Sequence, residues 1–136
     1  MGLKERRAVK DYQDNQYPAQ QKQIEGAAGF AVEVAVNWDT IATDGMSHLY
    51  AEAWPDVYFK PLIDALASIS ADDMGKEALQ ESLKKIEITN SDSVSSAHKW
   101  AAFEGGVLKL DHKPTTNIND VTARTQSLTT LLENSL

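Results

Sequence analysis

With 136 residues, 42% of them hydrophobic and 24% charged, the chain has the size and composition of one folded domain, and wholesale disorder is excluded because it requires few large apolar residues. The formal charge of -7 is uneven: residues 1–23 hold five Lys or Arg against three acids, leaving -9 on the remainder, a poor match for nucleic acid or an anionic membrane. No apolar run approaches the ~20 residues of a spanning helix, and the lack of cysteine removes disulfides, thiolate zinc sites and Cys nucleophiles.

MGLKERRAVKDYQ carries charge but no apolar segment of the kind a secretory signal needs, which favours a cytoplasmic location. Residues 3–15 are good helix formers with only Leu3, Val9 and Tyr12 as apolar points, so residues 1–16 are expected as a peripheral helix whose Lys4, Arg6, Arg7 and Lys10 are solvated. Pro18 suits the first turn of a second helix, and Gly29 suits its end. In FAVEVAVNW, residues 30–38, Phe30, Val32, Val34, Val36 and Trp38 alternate with Ala31, Glu33, Ala35 and Asn37. Period two with β-branched residues predicts a strand having one apolar face and one wet face.

Between Ser47 and Ser70 the pattern is helical but interrupted by Pro55 and Pro61, which predicts a short helix from His48 to Trp54 and then a second piece containing Leu62, Leu66 and Ile69. Ser70 and Asp73 resemble a capping box for a helix through Met74, Ala78, Leu79 and Leu83, with Asp72 and Asp73 favourable at its start. KKIEITN, residues 84–90, reads as a second strand and SDSVSSA, residues 91–97, as a polar loop. HKWAAFEGGVLKLDHK, residues 98–113, reads as a β-hairpin turning at Gly105-Gly106. Pro114 stops it, and Asn117 or Asn119 can cap a last helix with Val121, Leu128, Leu131 and Leu132 in a stripe.

The order predicts a single α+β domain over 1–136: an approximately four-stranded, mostly antiparallel sheet, helices packed on one face, and a C-terminal helix covering the apolar side. The connection between the first two strands is long enough for a crossover, which allows that one pair to be parallel.

A two-residue turn at Gly105-Gly106 pairs Glu104 with Val107, Phe103 with Leu108 and Ala101 with Leu110. Alternation then places Trp100 on the wet face with Ala102, Lys109 and Asp111. That face would also carry Glu33, Asn37, Glu87 and Thr89. Either Trp100 packs beneath the 91–97 loop or a helix, or it is an exposed aromatic anchor, since partner-binding surfaces are enriched in Trp. Trp100, Lys109, Asp111, Glu33 and Asn37 are accordingly the candidate partner-binding residues, with a two-fold homodimer as the least demanding arrangement.

Chemistry-bearing patterns are weak. His48 and Glu52 share a helix face, with Asp44 a turn earlier, but there is no HExxH motif and no third histidine nearby, so neither a metal nor a cofactor is expected. Asp111 and His112 are adjacent in a strand and point oppositely, which argues against an acid-base dyad. No nucleophile or phosphate-loop signature is present. The sequence therefore favours a non-enzymatic binding or assembly module that self-associates through its polar sheet face. The alternative is a small-molecule site, conceivably catalytic, formed by Trp38, Asp39, His48, Tyr50, Glu52 and Trp54 beyond the end of the first strand.

Overall fold

The alternating stretch after Gly29 forms strand β1 (Glu33–Val36), shorter than the pattern suggests because Trp38 already begins a helical turn. The computed structural model describes residues 2–136. Helices α1 (Leu3–Asn15) and α2 (Tyr17–Ala28) precede this strand, bent apart at Gln16. Gly29 ends α2 at φ 89°, a left-handed conformation with little cost for glycine. Helix α1 is less peripheral than its thin stripe implies, since Tyr12 and Val9 are buried in the core.

After β1 come α3 (Trp38–Ile41), a 3₁₀ turn at Ser47–Leu49 and α4 (Tyr50–Trp54). The proline-interrupted region does not break as expected. From α4 the chain runs through a π-helical stretch (Pro55–Phe59) directly into α5 (Lys60–Ile69). In this stretch the Lys60 N–H reaches back five residues to the Pro55 carbonyl. Widening the ladder by one residue absorbs the missing donor of Pro61 without ending the helix.

Helix α6 (Asp73–Ser82) follows, capped by the Asp72 carboxylate, which accepts from the Gly75 N–H at 2.8 Å, rather than by Ser70. The Ser70 hydroxyl instead donates to the Ala27 carbonyl on α2. Strands β2 (Lys85–Thr89), β3 (Ala101–Glu104) and β4 (Val107–Asp111) lead to α7 (Val121–Ser135), preceded by Asp120 with no side-chain cap from Asn117 or Asn119.

The architecture is α+β, but the sheet is mixed and mostly parallel, which corrects the antiparallel expectation. Its order is β1-β2-β4-β3: β1 runs parallel to β2, β2 parallel to β4, and only the β3–β4 hairpin is antiparallel. The physical reason lies in which hairpin strand deserves the centre. Leu108 and Leu110 of β4 are completely buried beside Ile86 and Ile88 of β2, whereas Ala101 and Phe103 of β3 stay partly exposed at the edge. The segment between Thr89 and Ala101 is long enough to carry the chain to that outer edge before the hairpin turns back. The hairpin register agrees with the sequence reading at every pair, and Gly105 and Gly106 both have positive φ, as a type I′ turn requires.

One sheet face, carrying Ile86, Ile88, Leu108 and Leu110, belongs to a continuous apolar cluster with Leu62, Leu66, Leu79, Leu128 and Leu132 from the helices. Helix α7 packs on α5 and β3. Among the described residues, no helix is long and apolar enough to cross a membrane.

Candidate functional site

Opposite the core lies the wet face. Pleating and register align Glu33 with Lys85 and Val107, Ala35 with Glu87 and Lys109, and Lys109 with Ala102. Glu87 and Lys109 keep solvent access although both sit on the two central strands, and Ala35 and Ala102 are exposed on the outer ones. Lys85 and Glu33 approach to 3.9 Å in a largely exposed pair. Such a pair contributes little to stability, about 0–1 kcal/mol.

Two shallow depressions flank Lys109. One, of about 260 Å³, is bordered by Ala35, Asn37, Glu87 and Thr89. The other, of about 150 Å³, is bordered by Asp92, Lys99, Ala102 and Asp111.

The five candidate partner-binding residues divide. Glu33, Asn37 and Lys109 present themselves on the wet side as expected, Glu33 and Asn37 exposed and Lys109 half-buried. Asp111 is on that side but buried beneath the loop. Its Oδ1 accepts from the Ser91 and Asp92 amides at 3.0 and 3.3 Å, and its Oδ2 accepts from the Ser91 hydroxyl at 2.6 Å.

Trp100 is not displayed on the face, although it borders the depression beside Lys109. It is 1% exposed, packs in the core, and donates its indole N–H to the Arg124 carbonyl at 3.1 Å. Although its carbonyl still pairs with the Asp111 N–H, the residue lies in a bend just before β3, where strand alternation no longer dictates side-chain direction. It is not an exposed anchor; it packs against a helix.

The aromatic group after β1 is likewise mostly interior. Tyr50 stacks on Trp54 with ring centroids 4.3 Å apart, and Trp38 and Tyr12 approach Trp54 at 5.5 and 4.9 Å, so the rings fill the space between them. Asp39, His48 and Glu52 are exposed. Among the described residues no cluster of three or more acidic or histidine side chains is placed to hold a metal. A groove of about 530 Å³ does open elsewhere, between α2 and α5, bordered by Gln20, Gln23, Phe59, Lys60, Ile63 and Asp64.

Sequence reasoning missed the most unusual group of side chains, where β4, the π-helical stretch and α7 meet. Arg124 is fully buried, and no carboxylate lies within ion-pair distance among the described residues. Its guanidinium donates to three backbone carbonyls: Asn117 at 2.8 Å, Ile118 at 2.9 Å and Asp56 at 3.0 Å.

His112, also fully buried, directs Nδ1 at the Lys113 carbonyl at 2.7 Å. A carbonyl can only accept, so Nδ1 carries the hydrogen and Nε2 holds a lone pair, which has no partner. Burial, and secondarily Arg124, press the imidazole below its ordinary range, against the opposing pull of the Lys113 carbonyl, Asp111 and the Ser95 carbonyl. Tyr58 donates to the His112 carbonyl, and its phenol is pushed strongly up by burial. A buried Arg on an otherwise apolar helical stripe is the only hint the sequence offers, and it gives no indication of partners.

No family model, curated protein or solved structure matches the chain.

Proposed function

We propose that the protein is a binding or assembly module that works through the wet face of its sheet, with a second copy of the same chain as partner. What supports this reading most is the solvent access of Glu87 and Lys109 in the middle of the sheet, a position that helices usually cover when β-strands run parallel. The occupant is argued from charge. The chain carries -7, yet this face sets Glu33, Glu87 and Glu104 against Lys85, Lys99 and Lys109. A face with both signs interspersed can meet its own copy about a two-fold axis, acid against lysine, where the acidic remainder would repel. Ala35 and Ala102, short and exposed, let the two sheets approach closely.

The test is light scattering after size exclusion on the wild type, Ala102→Arg and Lys109→Glu. Each change falls on a solvent-accessible side chain, so unfolding is not the expected consequence. A wild-type dimer converted to monomer by both variants at unchanged melting temperature is the expected result. A wild type that stays monomeric at high concentration, or a dimer indifferent to both changes, overturns the reading.

A further inference from the structure

Three segments distant in sequence meet at His112 and Arg124, tied together by a set of hydrogen bonds. Tyr58 in the π-helical stretch donates to the His112 carbonyl. Arg124, in the first turns of α7, gathers the carbonyls of Asp56, Asn117 and Ile118, while its own carbonyl receives the Trp100 indole. The neighbouring loop is tied on by the Lys113 N–H to the Val94 carbonyl at 2.7 Å and by the Asn117 amide to the Ser95 carbonyl at 2.8 Å. The Trp100 ring meets the His112 ring edge-on, centroids 6.4 Å apart. The segment from His112 to Asp120 contains no helix or strand, so these bonds, with the buried Pro114 and with Ile118 packed against the core, are what hold it.

We propose that His112 and Arg124 form an acid-sensitive latch, in which protonation of His112 Nε2 releases residues 112–120, together with loop 91–99, from the end of the sheet. The proposal is independent of whether the wet face binds a partner.

The groups around the imidazole explain why a proton there is not accommodated. On α7, Arg124 already places one cation in the buried cluster. On β4, the Asp111 carboxylate is turned to the opposite face and occupied by the Ser91 and Asp92 donors. The π-helical stretch offers the neutral Tyr58 hydroxyl, spent on a carbonyl, and an Asp56 whose carbonyl, not carboxylate, meets Arg124. Thr89 of β2 contributes only a backbone carbonyl, to the His112 N–H at 3.2 Å. Lys113 adds a further positive charge next in the chain, and Asp120 influences Arg124 rather than the ring. Of the backbone carbonyls near the ring, those of Lys113 and Ser95 favour its charged form, but the Ser95 carbonyl already accepts from the Asn117 amide and Nε2 makes no hydrogen bond. A second N–H on His112 would therefore be a poorly satisfied buried donor next to a like charge.

The direction in pH follows from linkage. The folded imidazole holds its proton less tightly than the released one, whose affinity is near the ordinary value of about 6.5. The closed state is thus fully favoured above that value and loses its advantage as pH falls through the lower, folded value. Within the window the ratio of closed to released protein drops up to about tenfold per pH unit, the limit for one proton.

Proton and nitrogen magnetic resonance of the full chain between pH 7.5 and 5 tests this. The expected result is that the Trp100 indole N–H and the amides of residues 94–96 and 112–120 change together, with one midpoint below 6.5. His112→Gln, which keeps a polar side chain but cannot titrate there, should abolish the transition. A His112 ring that titrates at or above 6.5, a Trp100 indole unmoved across the window, or a transition surviving in His112→Gln overturns the latch. Should His112→Gln fail to fold, the wild-type titration of the His112 ring and the Trp100 indole alone decides.

Discussion

Arg124 donates from Nη2 to the Asp56 carbonyl at 3.0 Å, replacing a hydrogen bond that Pro61 cannot supply. In the π-helical register the Lys60 N–H goes to Pro55, so the next N–H in line for Asp56 belongs to residue 61, and proline has none. A guanidinium suits the vacancy because its fixed fork also reaches Asn117 and Ile118. Arg124→Met fills much of the same volume yet leaves three carbonyls without their donor. The expected loss is about 1–3 kcal/mol in urea denaturation, the cost of unsatisfied buried carbonyls, and Arg124→Lys should recover little of it, since one ammonium cannot span the three acceptors. A Met variant as stable as the wild type would show that the guanidinium does not hold the junction.

The glycines should separate sharply on substitution by alanine. A Cβ at Gly75 would lie 1.7 Å from the Ile69 carbonyl oxygen, so backbone must move, and Gly75→Ala should cost at least about 2 kcal/mol. Gly106 combines φ +83° with a Cβ position 2.8 Å from Lys84 Cγ, and about 1–3 kcal/mol is expected there. Gly26, by contrast, is inside α2 with open space around its Cβ, and Gly26→Ala should stabilise by about 0.5–1 kcal/mol through helix propensity. Thermal denaturation of the three variants checks both the order and the change of sign.

Period-two and helical patterns made most element types and the hairpin register legible in the sequence, because local pleating and the Gly105-Gly106 turn decide them. Strand order was not legible, because it depends on the competition between Leu108/Leu110 and Ala101/Phe103 for the sheet centre, a tertiary comparison. The continuous helix across Pro55 and Pro61 was hidden for a similar reason: its unmet carbonyl is satisfied by a residue 68 positions away. On the candidate site, alternation placed Lys109, Glu33 and Asn37 correctly but failed for Trp100, one residue outside the regular strand. Asp111 had the right side and the wrong exposure, since only the folded loop reveals that Ser91 and Asp92 cover it.

That cover makes Asp111→Asn informative. The carboxylate takes three hydrogen bonds from Ser91 and Asp92, with Lys109 Nζ 3.9 Å from Oδ2. An amide retains one acceptor and turns two donors toward the hydroxyl or the lysine. The loop should loosen, with amide exchange at Ser91 and Asp92 accelerated about tenfold or more and global stability reduced by about 1–2 kcal/mol. Unchanged protection at both amides would mean that the loop is held by other contacts.

Trp54 and Trp100 offer a matched comparison, because both indoles are buried and only one is satisfied. The Trp100 N–H donates to the Arg124 carbonyl at 3.1 Å, whereas the Trp54 N–H has no partner inside its aromatic shell. Replacing either by Phe deletes the same atoms and leaves a comparable void. At Trp100 the change also removes a made hydrogen bond; at Trp54 it removes a donor whose burial was uncompensated. Trp100→Phe is therefore expected to cost about 1–3 kcal/mol more than Trp54→Phe in paired denaturant titrations. Equal losses, or a greater loss at Trp54, would place the dominant energy in ring packing against Tyr50, Trp38 and Tyr12 rather than in the polar end of the indole.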